Sequence, residues 1–172
     1  HVQINDPLDF LVIADHAELL GAIRTTVQKE IPTEGLGLID TLKAWYIDWK
    51  FKDIAENYEG PTAFVDLLPL NQDPIQAATV PNVSPIPNLA LMSKNTWQDA
   101  VQLADKHNDP GTFTAMIGYE WTAMINGNNL HRVVLYRDNV DKAGQLPPFS
   151  SLDSTNPEKL WDFLAHYEKT TG

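Results

Sequence analysis

Cysteine is missing altogether, which removes disulfides, thiolate nucleophiles and cysteine-type zinc sites. No apolar run nears the roughly 18 residues that a membrane-spanning helix needs. No charged start followed by an apolar stretch marks a signal peptide. Cations are scarce: 12 Lys and Arg stand against 23 Asp and Glu, for a net charge of −11. Such a surface repels phosphate backbones, so no nucleic-acid partner is expected. A small anionic substrate stays open, because a bound divalent cation inverts the local field. The chain also has no G-x-S-x-G, no Gly-rich phosphate loop and no dinucleotide fingerprint. Its five histidines include neither H-x-H nor H-x-x-x-H.

What is there suits one α/β domain over residues 1–172, or a piece of a larger one. With 43% hydrophobic residues the chain can fill a sizeable core, since a fold of this size buries about 70% of its unfolded surface. The protein is expected to be soluble, in the cytoplasm or the periplasm, and composition does not choose between them. It opens at His1 and not at Met, so an upstream segment is expected.

Asp9 to Ala14 is a short apolar run with β-branched members and is predicted to be a buried strand. It ends in Asp15-His16, and ligands gather at the carboxyl ends of parallel strands. Glu18 to Glu30 is predicted helical, with Leu19, Leu20, Ile23 and Val27 on one stripe. A second helix is predicted from Ile39 to about Tyr58, carrying Leu42, Trp45, Trp49 and Ile54, and stopped by Gly60-Pro61. Five prolines fall between Pro69 and Pro87, so residues 61–94 are expected to form an extended, proline-rich insertion. Ser93 to His107 is predicted to be a helix with Trp97, Val101 and Ala104 inward. Asn108-Asp109-Pro110-Gly111 is a turn. Thr112 to Trp121 and Leu130 to Tyr136 are predicted strands joined through Asn126-Gly127, the tight hairpin dipeptide. Asn156-Pro157-Glu158 opens a last helix with Leu160, Trp161 and Leu164 inward. The five tryptophans are expected in the core.

Chemistry concentrates at the strand ends. Asp15-His16 reads either as a helix cap followed by a structural histidine, or as a metal ligand, His16, with Asp15 as its supporting carboxylate. If Asn126 and Gly127 are the central turn residues, Thr122 faces His131 and Glu120 faces Val133. Side chains alternate with period 2, so Glu120, Thr122, His131 and Val133 share one face. Glu120 and His131 are then diagonal neighbours about 7–8 Å apart at Cα, within reach of one ion. A carboxylate beside a stretch as apolar as Phe113 to Tyr119 is costly unless it is paired or metal-bound. The alternatives are a solvent-facing pair or a simple Glu–His hydrogen bond. Arg132 lies on the opposite face and is expected in a structural ion pair. His107 and His166 are expected on helix surfaces.

These segments resemble a known superfamily. Leu8-Asp9-Phe10-Leu11-Val12-Ile13-Ala14-Asp15-His16-Ala17-Glu18 is similar to the second motif of the PHP (polymerase and histidinol phosphatase) superfamily, a strand ending in Thr/Ala-Asp-His. Ile117-Gly118-Tyr119-Glu120-Trp121-Thr122 resembles its Gly-x-Glu motif. Asn129-Leu130-His131-Arg132-Val133-Val134 resembles the histidine-bearing strand that follows. The likeness extends through Asp109-Pro110-Gly111-Thr112-Phe113 and Pro148-Phe149-Ser150-Ser151 to a bacterial branch described only as a domain of unknown function.

The resemblance implies part of a distorted (β/α)7 barrel that binds two or three divalent ions (zinc, manganese or iron). It implies a hydrolase, most simply a phosphoesterase, that uses a metal-bound hydroxide on a small-molecule anionic ester. Amides or sulfate esters are further substrate classes on such a barrel. His16, Glu120 and His131 would be metal ligands, with Glu120 bridging two ions. The family's opening H-x-H strand and its late histidines are missing, so the chain is expected to be an internal segment of a longer protein. A dinuclear site needs about eight to ten ligand atoms, and three residues cannot supply them. The segment alone is therefore expected to bind metal weakly and to be inactive. The rival expectation is a non-catalytic, metal-free binding or structural module in which Glu120 pairs with His131.

Overall fold

The computed structural model describes residues 6–28, 31–58, 86–125 and 128–172. In chain order these form β1 (Phe10–Val12), α1 (Ala22–Gln28), α2 (Leu38–Glu56), α3 (Leu89–His107), β2 (Thr114–Ile125), β3 (Asn128–Tyr136), α4 (Val140–Ala143) and α5 (Pro157–Thr171). The class is mixed α/β. Its sheet has the order β1-β2-β3 and is not closed among the described residues. β1 runs parallel to β2, with Phe10 opposite Thr114 and Val12 opposite Met116. β3 returns antiparallel, with Ile125 opposite Asn128, Thr122 opposite His131 and Glu120 opposite Val133. That is the register expected from a two-residue turn. Asn126 and Gly127 themselves lie outside the described residues.

Period 2 then sorts the ribbon. Tyr119, Trp121, Ala123, Val134 and Tyr136 face a core completed by Trp97 and Val101 of α3 and by Leu160 and Tyr167 of α5. Trp97 meets Tyr119 edge-on at 5.9 Å between ring centroids. Its indole N–H is satisfied by the Ala143 carbonyl at 2.9 Å, as a buried indole requires. Gly118 lets β1 and β3 close on β2. A Cβ there would stand 2.8 Å from the Val134 carbonyl and 2.9 Å from both Val12 and Leu135.

α5 starts as its sequence dictates. Pro157 supplies the first helical φ, and the Asn156 side chain accepts from the Glu158 N–H, satisfying a donor that the helix leaves orphaned. Leu160 is buried and Leu164 packs on the core, but Trp161 is exposed. α3 begins at Leu89, four residues before the expected start, so residues 89–94 are helix and not insertion. Residues 61–85 of that expected insertion lie outside the described residues.

Three further expectations change. The predicted strand is not buried: Phe10 and Leu11 of β1 are 66% and 43% exposed, and Ile13 after it 64%; β1 is an edge strand of the described sheet. α1 starts only at Ala22. Leu19 and Gly21 take left-handed φ values of 58° and 76°, which breaks the predicted helix into a turn followed by a shorter helix. Leu19 and Leu20 are buried in that turn, whereas Ile23 and Val27 are exposed. On α2 three of the four residues of the predicted stripe point outward, with Leu42, Trp45 and Trp49 exposed, while Ile54 packs inward as expected. The packed side is Ala44 and Phe51, joined to Ile86, Leu89 and Met92 in a second apolar cluster. The small Ala44 offers the closer approach, and helical period alone does not say which of two stripes meets a neighbour. Of the tryptophans, Trp97 and Trp121 are core residues, and Trp45, Trp49 and Trp161 are not.

Candidate metal centre

The site lies where the chain leaves β1. Past Val12 the backbone stays beside β2: the Glu120 N–H donates to the Asp15 carbonyl at 2.9 Å, and the Ala17 N–H donates to the Glu120 carbonyl at 2.8 Å. This bridge sets His16 alongside Glu120. β3 adds His131 through its pairing with Thr122. One ligand atom from each of His16, Glu120 and His131 lies within 4.8 Å of the others. The three residues singled out in the sequence are thus brought together, and by backbone register, which is stiff.

At the centre is the Thr122 hydroxyl. It lies 3.0 Å from His16 Nδ1, 2.9 Å from His131 Nδ1 and 3.2 Å from Glu120 Oε1. His131 Nδ1 also approaches Glu120 Oε1 to 2.5 Å. Thr122 is sealed at 1% exposure. The side chains of His16, Glu120 and His131 keep 38%, 21% and 47% of their surface in solvent. A ligand could therefore approach the three outer groups while the hydroxyl stays dry beneath them.

Glu18 is the residue that the sequence did not reveal. Its side chain is wholly buried. Oε1 accepts the backbone N–H of Thr122 at 3.1 Å and that of Ser151 at 2.8 Å. Oε2 has no hydrogen-bond partner among the described residues and stands 3.6 Å from His16 Nδ1. Burial pushes the Glu18 carboxyl above its ordinary value, against the opposing effect of the Ser151 and Thr122 N–H groups. Asp15 is exposed and joins the site through its backbone carbonyl. A glutamate within an expected helix reads as a solvated charge. Only the left-handed turn at Leu19 and Gly21 turns it inward.

Arg132 donates to the His131 carbonyl at 2.7 Å. His107 and His166 are exposed on α3 and α5 and lie outside the group of three.

A family model spans residues 1–172 of the chain. The chain belongs to the family Protein of unknown function (DUF3604). No curated protein and no solved structure matches it. In this family member the donor set is two imidazoles and one carboxylate, a mixture suited to zinc, manganese or iron. The residues fit a divalent cation in donor type and in spacing. They could supply three of the four to six ligands that one such ion takes.

Among the described residues no helix is long and apolar enough to cross a membrane.

Proposed function

We propose that this chain carries part of the divalent-metal site of a PHP-like hydrolase acting on a small anionic ester, most simply a phosphoester. The observation that supports this reading is the convergence of His16, Glu120 and His131 within 4.8 Å, from two stretches of chain more than a hundred residues apart. A bound divalent cation supplies a Lewis acid that polarises an ester oxygen and activates water at neutral pH. The chain's own part is to hold the two imidazoles and the carboxylate in register. The barrel belongs to the same reading: β1 and β2 are parallel, and His16 follows the carboxyl end of β1, the end at which such folds keep their ligands.

A second reading has one observation in its favour. The 2.5 Å approach of His131 Nδ1 to Glu120 Oε1 is what a metal-free module would use as a structural contact.

Metal analysis and zinc titration of the wild type, His16→Ala and Glu120→Ala separate the two. The hydrolase reading expects zinc bound by the wild type, weakly where only these three ligands are supplied, and at least about tenfold more weakly by each variant. Equal metal content in all three ends it. Turnover of a generic phosphomonoester by the full-length protein, lost in Glu120→Ala, would extend the reading to activity.

A further inference from the structure

The Thr122 hydroxyl has one proton to give and two lone pairs to receive with. It faces three partners: Glu120 Oε1, His16 Nδ1 and His131 Nδ1. An ionised carboxylate only accepts, so the hydroxyl proton goes to Glu120. Both imidazoles must then donate, each from a protonated Nδ1. His131 has a second acceptor in Glu120 Oε1. Behind His16 stands Glu18 Oε2, buried without a hydrogen-bond partner among the described residues and 3.6 Å from Nδ1, an ion-pair distance at which its charge favours a proton on that nitrogen. Glu18 cannot drift from this post, because its other oxygen is held by two backbone N–H groups, from β2 and from the loop before α5.

We propose that Thr122 and Glu18 are positioning residues that fix His16 and His131 as Nδ1–H tautomers, so that both histidines present Nε2 to a cation. The inference rests on the metal-site reading and deepens it: it assigns the proton on each ring and the carboxylate behind His16. Metal-ligating histidines generally donate their other ring N–H to such an acceptor, which orients the ring and raises its basicity. A hydroxyl shared by both rings would also couple them, so that neither turns without the other.

The test is long-range 1H–15N NMR of the histidine rings, without metal and with Zn2+, beside zinc titrations of variants. His16 and His131 are expected as Nδ1–H tautomers in both states, and an Nε2–H tautomer at either overturns the proposal. Thr122→Val and Glu18→Gln are expected to weaken zinc binding about 10- to 100-fold, with Thr122→Ser restoring it. Wild-type affinity in Thr122→Val and Glu18→Gln also overturns it. If either variant fails to fold, the tautomers of the wild type decide. Zinc binding that is lost in His16→Ala but unchanged in Glu18→Gln and Thr122→Val sinks this inference and leaves the metal site standing. No zinc binding by the wild type sinks the metal site itself.

Discussion

The β2–β3 ribbon has two faces that differ by one residue of register. On one, Tyr119, Trp121 and Val134 are buried among aromatic rings from α3 and α5. On the other, Glu120 and His131 stay partly in solvent, and Val133 and Leu135 are 55% and 48% exposed. Neighbours in sequence therefore do opposite work. The core face holds the ribbon rigid. The open face presents donor groups whose spacing that rigidity preserves. Polar groups collect where the packing has no use for them.

The largest contrast is expected between Trp121 and Glu120. Trp121 is fully buried, and Trp121→Ala should cost about 3–5 kcal/mol in denaturant unfolding. Glu120→Ala should cost less than about 1 kcal/mol, the range of a partly exposed ion pair. Similar costs for the two would erase the distinction between the faces.

A finer contrast uses adjacent valines. Val134→Thr places a hydroxyl in the core and should destabilise by about 1–3 kcal/mol. Val133→Thr should stay within about 0.5 kcal/mol. Both are read from denaturation midpoints.

The smallest effect appears in alkali. Burial pushes the Tyr136 phenol above its ordinary value of 10.0, so the folded chain keeps a proton that the unfolded chain releases. The stability this contributes is complete below about pH 10 and is lost as pH rises toward the folded value. Tyr136→Phe should flatten that decline between about pH 10 and 12 in pH-scanned unfolding. An unchanged slope would show that this phenol is as free to ionise in the folded chain as in the unfolded one.

The site was more legible in the sequence than the packing around it. The dipeptide Asn126-Gly127 predicts a two-residue turn from sequence, and period 2 then leaves no freedom in which side chains of the flanking strands share a face. The positions of Glu120, Thr122 and His131 follow from counting. α2 shows the reverse case. Its sequence carries an outward stripe of Leu42, Trp45 and Trp49 beside an inward one of Ala44 and Phe51, and hydrophobicity favours the wrong one. What decides is the neighbouring surface, to which local pattern is blind. Glu18 was hidden for a related reason. Its burial depends on a left-handed Leu19, a conformation that side chains of its kind adopt rarely. The glycine two residues on gave the only hint.

The parallel pairing of β1 with β2 aligns Phe10 with Thr114, and this has a kinetic consequence. Glu120 and His131 sit on one hairpin, and hairpins zip in about 1–10 μs. His16 arrives only when a loop of about a hundred residues closes, and contacts so distant in sequence form late. A newly made chain would hold two donors long before it gained the third. Under the proposed metal-site reading, capture of a cation would act as a late latch, setting after the rest of the molecule has found its shape.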